Sequence, residues 1–174
     1  IFIEPVLFPE HLSLPVWSEE KASRYVNASH WYDGIKLGTG RYTPWLGIDY
    51  ETGELTFGKR NVKLLFEKMF ASVKLGTKKS LGEAPSMIGE TGIPFDMNDK
   101  EAFKTGNFDS QEKAFDRIFK AMEKNLLNYT LWNYTADNTN ERGDQWNGED
   151  LSIFSPDQQK DPDDIDSGGR ALDA

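Results

Sequence analysis

The sequence predicts an α/β fold, because short β-rich runs alternate with amphipathic helical segments along the chain. The predicted strands cover residues 1–3, 25–32, 85–90 and 128–134, and a helix fills each of the last two intervals between them. This order favours parallel strands joined by helical crossovers. Parallel sheets carry their chemistry at the carboxyl ends of the strands, so the polar residues found there are the first candidates for function.

Two helices are predicted from apolar spacing and from residues that begin or end helices. The first ends at Gly76, a suitable helix stop, and its single apolar face consists of Val62, Leu65, Phe66, Met69, Phe70 and Val73. The second begins at Asp109 as N-cap, with Glu112 three positions on, as in a capping box. Residues 33–58 and 91–109 contain several Gly and Pro and are predicted as loops, and a loop as long as the first is usually functional or disordered.

Polar side chains stand at every predicted strand end, namely Glu4, His30 with Tyr32, Glu90, and Trp132 with Asn133. Glu90 ends an apolar strand, and its small neighbours Gly89 and Gly92 leave room for a ligand beside the carboxylate. A carboxylate in this position can act as a nucleophile or as a general acid/base, but it can also cap a helix or pair with Lys. The residues alone leave both interpretations open.

The three candidates around Glu90 also have ordinary structural interpretations. His30 could be a base, a metal ligand or a hydrogen-bond donor. Tyr32 points to the same side of its strand as His30, where a tyrosine is more often a packed aromatic with a solvated hydroxyl than a catalytic group. Trp132 offers a flat apolar face for a sugar ring, or it is part of the core.

Composition excludes several function classes. The net charge is −9, and residues 141–174 alone hold 10 acidic and 3 basic residues, so a nucleic-acid partner is not expected. The absence of Cys excludes disulfides, thiolate metal sites and cysteine nucleophiles, and it is compatible with an intracellular compartment such as cytosol or vacuole. No apolar run approaches the ~20 residues of a membrane span. No Gly-rich phosphate loop is present, and no cofactor is expected.

The sequence gives little support for a metal site. His30 is accompanied only by His11, and neither the HxH nor the HExxH spacing of zinc sites occurs. Asp163, Asp164 and Asp166 lack the pattern of an EF-hand, so a solvated acidic tail is the favoured interpretation. The Pro-, Asp- and Gly-rich residues 156–169 are predicted to be mobile.

Four segments together resemble a known enzyme family. The run IGETGIPFDM at residues 88–97 resembles the seventh-strand motif of glycoside hydrolase family 5, in the branch of endoglycoceramidases and fungal glucosylceramide and steryl β-glucosidases. ASHWYD at residues 28–33 is similar to the sixth-strand motif, and LWNY at residues 131–134 to the eighth strand. GDQWNGEDLS at residues 143–152 is similar to the loop that follows, and residues 168–174 resemble the start of the next helix.

The resemblance implies part of a (β/α)8 barrel and a retaining hydrolysis mechanism. Residues 1–155 would form the C-terminal half of the barrel, strands 5–8 with their helices, and residues 156–174 an acidic mobile segment leading into the last helix. Glu90 matches the nucleophile position, and His30 and Tyr32 match the pair beside it. The expected substrate is a glycolipid such as glucosylceramide or a steryl glucoside, with a peripheral membrane contact through that lipid.

The resemblance also assigns residues to substrate binding. Trp132 would form the floor of the sugar subsite, and the residues around the sugar hydroxyls would be Asn133, Asp144, Trp146 and Asn147. In the long segment 33–58, an apolar channel for the lipid part would include Tyr42, Trp45, Leu46 and Ile48. Packing of these four residues onto the rim of the barrel is an equally good interpretation.

One departure from the family pattern concerns the second catalytic carboxyl. The family's acid/base is a Glu that follows Asn and precedes Pro on the fourth strand, and no Asn-Glu-Pro occurs here. Glu4-Pro5 follows Ile3 and matches the fifth strand instead. The first half of the barrel, with the acid/base, is therefore expected upstream of Ile1, and this chain alone is expected to be inactive. The alternative is a non-catalytic carbohydrate- or glycolipid-binding protein on a degenerate barrel.

Overall fold

The computed structural model describes residues 1–5, 18, 24–161, 163 and 170. A 3-10 turn covers Pro156–Gln158. The strands and helices in chain order are β1 (Phe2–Ile3), β2 (Val26–His30), α1 (Gly34–Thr39), β3 (Leu46–Ile48), β4 (Leu55–Phe57), α2 (Lys59–Leu81), β5 (Ser86–Thr91), α3 (Met97–Thr105), α4 (Asp109–Lys124) and β6 (Asn128–Leu131).

The main sheet contains the four predicted strands in the order β1-β2-β5-β6. Strand β1 pairs with β2, and β2 with β5, both in parallel. The prediction of a mixed α/β fold with a parallel sheet is therefore confirmed. The fourth strand is shorter than predicted and ends at Leu131, so that Trp132 lies just beyond it.

Helix α2 packs on the main sheet through the apolar face that the sequence predicts. Val62, Phe66 and Phe70 are almost fully buried, and the ring of Trp31 lies 4.8 Å from Phe66 and 4.7 Å from Phe70 between centroids. The predicted stop at Gly76 is wrong, since the helix continues to Leu81 and ends at Gly82. Burial of Leu81 in the additional turn outweighs the cost of about 1 kcal/mol for a glycine within a helix.

The predicted long loops contain regular structure. Residues 33–58 hold α1 and an antiparallel hairpin of β3 and β4. Helix α1 begins because the side chain of Asp33 accepts a hydrogen bond from the backbone N–H of Lys36 at 3.3 Å. Residues 91–109 hold α3. Each of these elements has too few residues to show a clear apolar period, so the Gly and Pro content dominated the prediction.

Helix α4 begins at Asp109, where the sequence predicts its start. The contacts at this end of the helix differ from the predicted capping box. Asp109 is the first helical residue and not the cap, and its carboxylate pairs with Lys113 at 2.6 Å. The side chain of Asn107 accepts the backbone N–H of Asp109 at 2.9 Å. Asn107 therefore forms an Asx turn just before the helix, and Asp109 does not act as the cap.

The pairing of β2 with β5 contains a β-bulge at Gly89. Ser29 pairs with Ile88, but the next residue, His30, pairs with Glu90, so Gly89 is an extra residue on β5. A Cβ at Gly89 would lie 2.7 Å from the carbonyl oxygen of Ala28, closer than real contacts allow. Glycine is required there because the two strands approach each other closely. The sequence had instead indicated that the small size of Gly89 leaves room for a ligand beside Glu90.

The chain divides into two compact units. The described residues of 1–32, 44–91 and 117–130 form the first unit, and those of 33–43, 92–116 and from 131 onward form the second. The first unit holds β1 to β5, α2 and most of β6, and the second holds α1, α3 and the segment after β6.

The second unit is organised around a buried ion pair. Arg170 has no exposed surface and pairs with Asp150, while its Nη2 donates to Asn140 Oδ1 at 2.9 Å. The guanidinium carbon lies 5.5 Å from the ring centroid of Phe95 and 4.6 Å from that of Phe103. Breaking such a pair leaves an uncompensated buried charge, which typically costs about 3–5 kcal/mol.

Half of the tail residues 156–169 lie outside the part of the chain that the structure describes. Of residues 156–169, the described ones are 156–161 and 163, which include the 3-10 turn. The expected mobility of the rest therefore stays a prediction, as does the helix start expected at residues 168–174.

We expect Gly89→Ala to destabilise the protein by about 1–3 kcal/mol, because the new methyl group overpacks the contact with Ala28. Gly76→Ala is the matched control. A Cβ at Gly76 meets nothing within 4 Å, so alanine should stabilise helix α2 by ~0.5–1 kcal/mol. Urea unfolding of the protein measures both changes. Equal stability of the two variants would contradict the assigned contact.

We expect Asp96→Asn to stabilise the protein at neutral pH. Burial raises the pKa of the Asp96 carboxyl, and the charge of Asp150 raises it further. A folded pKa above the unfolded value means that stability falls as the pH rises through the unfolded value towards the folded one. Asparagine removes this cost.

The gain from Asp96→Asn should therefore be seen as a higher Tm at pH 7 and should disappear at pH 3, where the carboxyl is protonated in both states. The exposed Glu141→Gln serves as the control and should leave the Tm unchanged at both pH values. A gain of equal size at pH 3 would show that charge is not the cause.

Candidate active site

The carboxylate of Glu90 lies at the carboxyl end of β5, with its side chain 24% exposed. The hydroxyl of Tyr32 donates a hydrogen bond to Glu90 Oε1 at 2.5 Å. On the other oxygen, His30 Nδ1 lies 3.5 Å from Glu90 Oε2. Tyr32 therefore holds one carboxylate oxygen, His30 lies close to the other, and the group remains partly open to solvent, as a group that meets a ligand must be.

Burial of Trp31 explains why His30 and Tyr32 reach the same carboxylate. The Trp31 side chain is 1% exposed and packs against α2. Successive side chains of an extended segment point to opposite faces, so the residues before and after Trp31 face away from α2. The backbone N–H of Trp31 donates to the carbonyl of Glu90 at 2.9 Å and keeps the two segments in register.

The β-bulge at Gly89 completes the alignment. Without this bulge, the register would pair His30 with Gly89, and Glu90 would lie one position further along the strand. With it, His30 and Glu90 stand opposite each other, and Tyr32 follows two residues later. The pairing of β2 with β5 thus determines that the side chains of His30, Tyr32 and Glu90 meet.

Two further residues of the first unit belong to this cluster. Glu4, at the end of β1, places Oε2 3.5 Å from His30 Nε2, so each ring nitrogen of His30 faces a carboxylate. The hydroxyl of Tyr50 donates to the backbone carbonyl of Tyr32 at 2.5 Å. The sequence analysis placed Glu4 at a strand end but assigned it no role. Nothing in the sequence indicated Tyr50 as a site residue, because it lies in a region predicted as a loop.

The other predicted substrate-binding residues belong to the second unit. Trp132 and Asn133 follow β6 and are half-buried, and Trp146 is 58% exposed. Asn147 is exposed and has a positive φ of 51°. Gly92 lies against this segment, where a Cβ would come within 2.3 Å of the Trp132 carbonyl oxygen, so only glycine fits.

Asp144 organises its own loop. Its side chain is almost fully buried, and Oδ2 accepts from Asn133 Nδ2 and from the backbone N–H of Leu151, each at 3.1 Å. Oδ1 accepts the backbone N–H of Trp146 at 3.0 Å. These contacts connect the segment after β6 to the loop that carries Trp146 and Asn147.

The described residues contain no group of three or more His, Cys, Asp or Glu side chains placed to hold a metal ion. His11, Asp164 and Asp166 lie outside the described residues. In the described part of the chain, no helix has both the length and the apolar character needed to cross a membrane. Of the four residues predicted for an apolar channel, Trp45 is 49% exposed, and Tyr42, Leu46 and Ile48 are half-buried.

Comparison with known proteins identifies relatives over most of the chain. A glucosylceramidase of Rhizopus delemar is 35% identical over 150 residues, which cover 81% of this chain and 22% of that protein. An ergosteryl-β-glucosidase of Saccharomyces cerevisiae is 36% identical over 148 residues, covering 79% of this chain and 19% of the relative. No model of a protein family matches the chain.

A solved structure has the same fold. A crystal structure of Cryptococcus neoformans sterylglucosidase 1 superposes with a TM-score of 0.85 at 33% identity, covering 98% of this chain and 27% of that one. The chain thus spans about a fifth to a quarter of the length of its relatives. The resemblance carried by the strand motifs is confirmed, and this chain belongs to the family of glucosylceramidases and steryl β-glucosidases, matching one section of its members.

Proposed function

We propose that this chain carries the nucleophile of a retaining β-glucosidase that hydrolyses a glycolipid. The relatives are named as glucosylceramidases and an ergosteryl-β-glucosidase, which supports glucosylceramide or a steryl glucoside as the substrate. Glu90 is the nucleophile. We further propose that the main sheet corresponds to strands 5–8 of a (β/α)8 barrel, with residues 1–155 as its C-terminal half and residues 156–174 leading into the last helix.

The hydrogen bond from Tyr32 to Glu90 is the observation that carries the proposal. A donor 2.5 Å from Oε1 fixes the rotation of the carboxylate. The imidazole of His30 restrains the other oxygen. A carboxylate oriented in this way at the end of a parallel strand has the geometry of a preorganised nucleophile.

The mechanism needs two carboxyl groups. Glu90 attacks the anomeric carbon and forms a glycosyl-enzyme, while a second carboxyl, about 5–5.5 Å away, protonates the departing lipid oxygen. The second group then activates water, which attacks the anomeric carbon and releases Glu90. Since the sequence lacks an Asn-Glu-Pro, we assign the second carboxyl to another part of the full-length protein, and we expect these 174 residues alone to show no turnover.

The substrate-binding roles remain those that the resemblance assigns. Trp132 is proposed as the sugar platform, with Asn133, Trp146 and Asn147 near the hydroxyl groups. For Asp144, the three hydrogen bonds within its own loop support a role in shaping the segment that presents the other residues.

Glu90→Gln in the full-length protein should lower kcat by at least about 10⁴-fold, because the amide cannot form the glycosyl-enzyme. Release of glucose from glucosylceramide and from a steryl glucoside measures the rate. Glu123→Gln, an exposed glutamate on α4, is the matched control and should keep wild-type activity.

Binding separates hydrolysis from the alternative of a non-catalytic binding protein. We expect Glu90→Gln to keep a Kd for the glucoside within a few fold of the wild type while turnover is lost. A wild-type protein that binds the glucoside without hydrolysing it would support the alternative. Unchanged turnover in Glu90→Gln would refute the assignment of the nucleophile.

Tyr32→Phe should lower kcat by about 10–100-fold, which corresponds to loss of one hydrogen bond to a charged group worth about 1.5–3 kcal/mol. We expect KM to change little, since the hydroxyl acts on Glu90 and not on the bound lipid. Tyr129→Phe, on β6, removes a hydroxyl outside the cluster and should keep the wild-type kcat. Equal effects of both substitutions on kcat would argue against the role of Tyr32.

A further inference from the structure

The β3–β4 hairpin carries its apolar side chains on the face that points away from α2. Directly paired residues of antiparallel strands share a face, and the pairs are Leu46 with Phe57, Gly47 with Thr56, and Ile48 with Leu55. Gly47 faces α2, because a Cβ there would lie 3.1 Å from Leu65 Cδ2 and 3.3 Å from Val62 Cγ1. The two apolar pairs therefore lie on the opposite face.

This outer face is accessible to solvent. Leu55 is 52% exposed and Phe57 is 57% exposed, and the ring of Trp45 stacks on that of Phe57 at 6.4 Å between centroids. A two-stranded hairpin normally turns its apolar residues towards the body of the protein and its small or polar residues outward. Here Gly47 and Thr56 point inward, so the pattern is reversed. A contiguous exposed apolar face of this kind indicates an interaction surface.

The segment next to this face is basic in an acidic chain. Residues 55–66 contain Lys59, Arg60 and Lys63 and no acidic residue, although the chain has a net charge of −9. Lys59 and Arg60 are exposed, and Lys63, whose side chain is 59% exposed, lies with Nζ 4.0 Å from Glu67 Oε1. They occupy the start of α2, which has no acidic residue in its first turn. Cations are unfavourable at this end of a helix, so their position is not explained by helix stability.

The acidic residues of the hairpin, Asp49, Glu51 and Glu54, lie in the turn between its two strands. Asp49 and Glu51, in the turn after β3, face Lys68, with Lys68 Nζ 2.7 Å from Asp49 Oδ2 and 3.9 Å from Glu51 Oε2. Their charges are thus partly compensated on α2, away from Lys59 and Arg60. The apolar face is therefore bordered by cations on the side where Phe57 leads into α2.

We propose that this surface, formed by Trp45, Leu55, Phe57, Lys59 and Arg60, docks on an anionic phospholipid bilayer. Aromatic side chains partition into the membrane interface, and adjacent Lys and Arg bind anionic headgroups. The proposal goes beyond the proposed hydrolysis and stands independently of it. It has a consequence for the candidate site, because Tyr50 in the turn of the same hairpin donates to the Tyr32 carbonyl. Docking would then hold the hairpin that supports Tyr32 at the lipid surface.

Sedimentation of the full-length protein with vesicles tests the proposal. The protein should bind vesicles of phosphatidylcholine mixed with phosphatidylserine and bind much less to phosphatidylcholine alone. The double variants Leu55→Ser/Phe57→Ser and Lys59→Glu/Arg60→Glu should each weaken binding by about tenfold or more. Hydrogen exchange in residues 45–57 should slow when the mixed vesicles are added to the wild type.

Matched controls come from the other end of the same helix. Leu75→Ser changes an apolar residue that is 67% exposed, and Lys78→Glu/Lys79→Glu reverses two cations near the C-terminus of α2. Both should retain wild-type vesicle binding. Hydrolysis of a water-soluble β-glucoside should be unchanged in the Leu55/Phe57 and Lys59/Arg60 variants, which separates a failure of docking from a failure of the proposed catalytic function.

Two results would overturn the proposal. The first is vesicle binding by the hairpin variants equal to that of the wild type. The second is a clear fall in the Tm of Leu55→Ser/Phe57→Ser, which would show that another part of the full-length protein covers this face. Weaker vesicle binding at an unchanged Tm supports docking through the hairpin.

Discussion

The close approach of β2 and β5 is the constraint on which the candidate site depends. Gly89 lets the two backbones meet where any side chain would strike the Ala28 carbonyl, and the extra residue shifts the register by one. This shift puts His30 opposite Glu90. A β-bulge changes the direction of the side chains that follow it. Here it brings side chains from two neighbouring parallel strands together around one carboxylate.

Packing on one side of β2 determines the direction of the side chains on the other. Trp31 is buried against α2, and the alternation of side chains then directs His30 and Tyr32 to Glu90. The long apolar face of α2 therefore does more than form a core, because it anchors the residue between the two that contact the carboxylate. Tyr50 adds a second restraint by binding the Tyr32 carbonyl from the hairpin.

The two faces of the β3–β4 hairpin have different surroundings. Its inner side is limited to Gly47 and Thr56 because α2 leaves little space, which sends the larger residues outward. The outer side then combines exposed aromatic and aliphatic groups with the cations that begin α2. The outward position of the larger residues follows from this packing constraint, whereas the cations at the start of α2 do not stabilise that helix.

The sequence by itself determined the parallel α/β order, the buried face of α2 and the presence of Glu90 at a strand end, because apolar periods and strand-end positions are local properties. Its motifs also led to the family that the relatives support. Only the tertiary structure decided that α2 continues past Gly76, that residues 33–58 form a helix and a hairpin, and that Glu4 and Tyr50 join the cluster. These features depend on contacts between residues distant in the chain, and such contacts leave no period or spacing in the sequence.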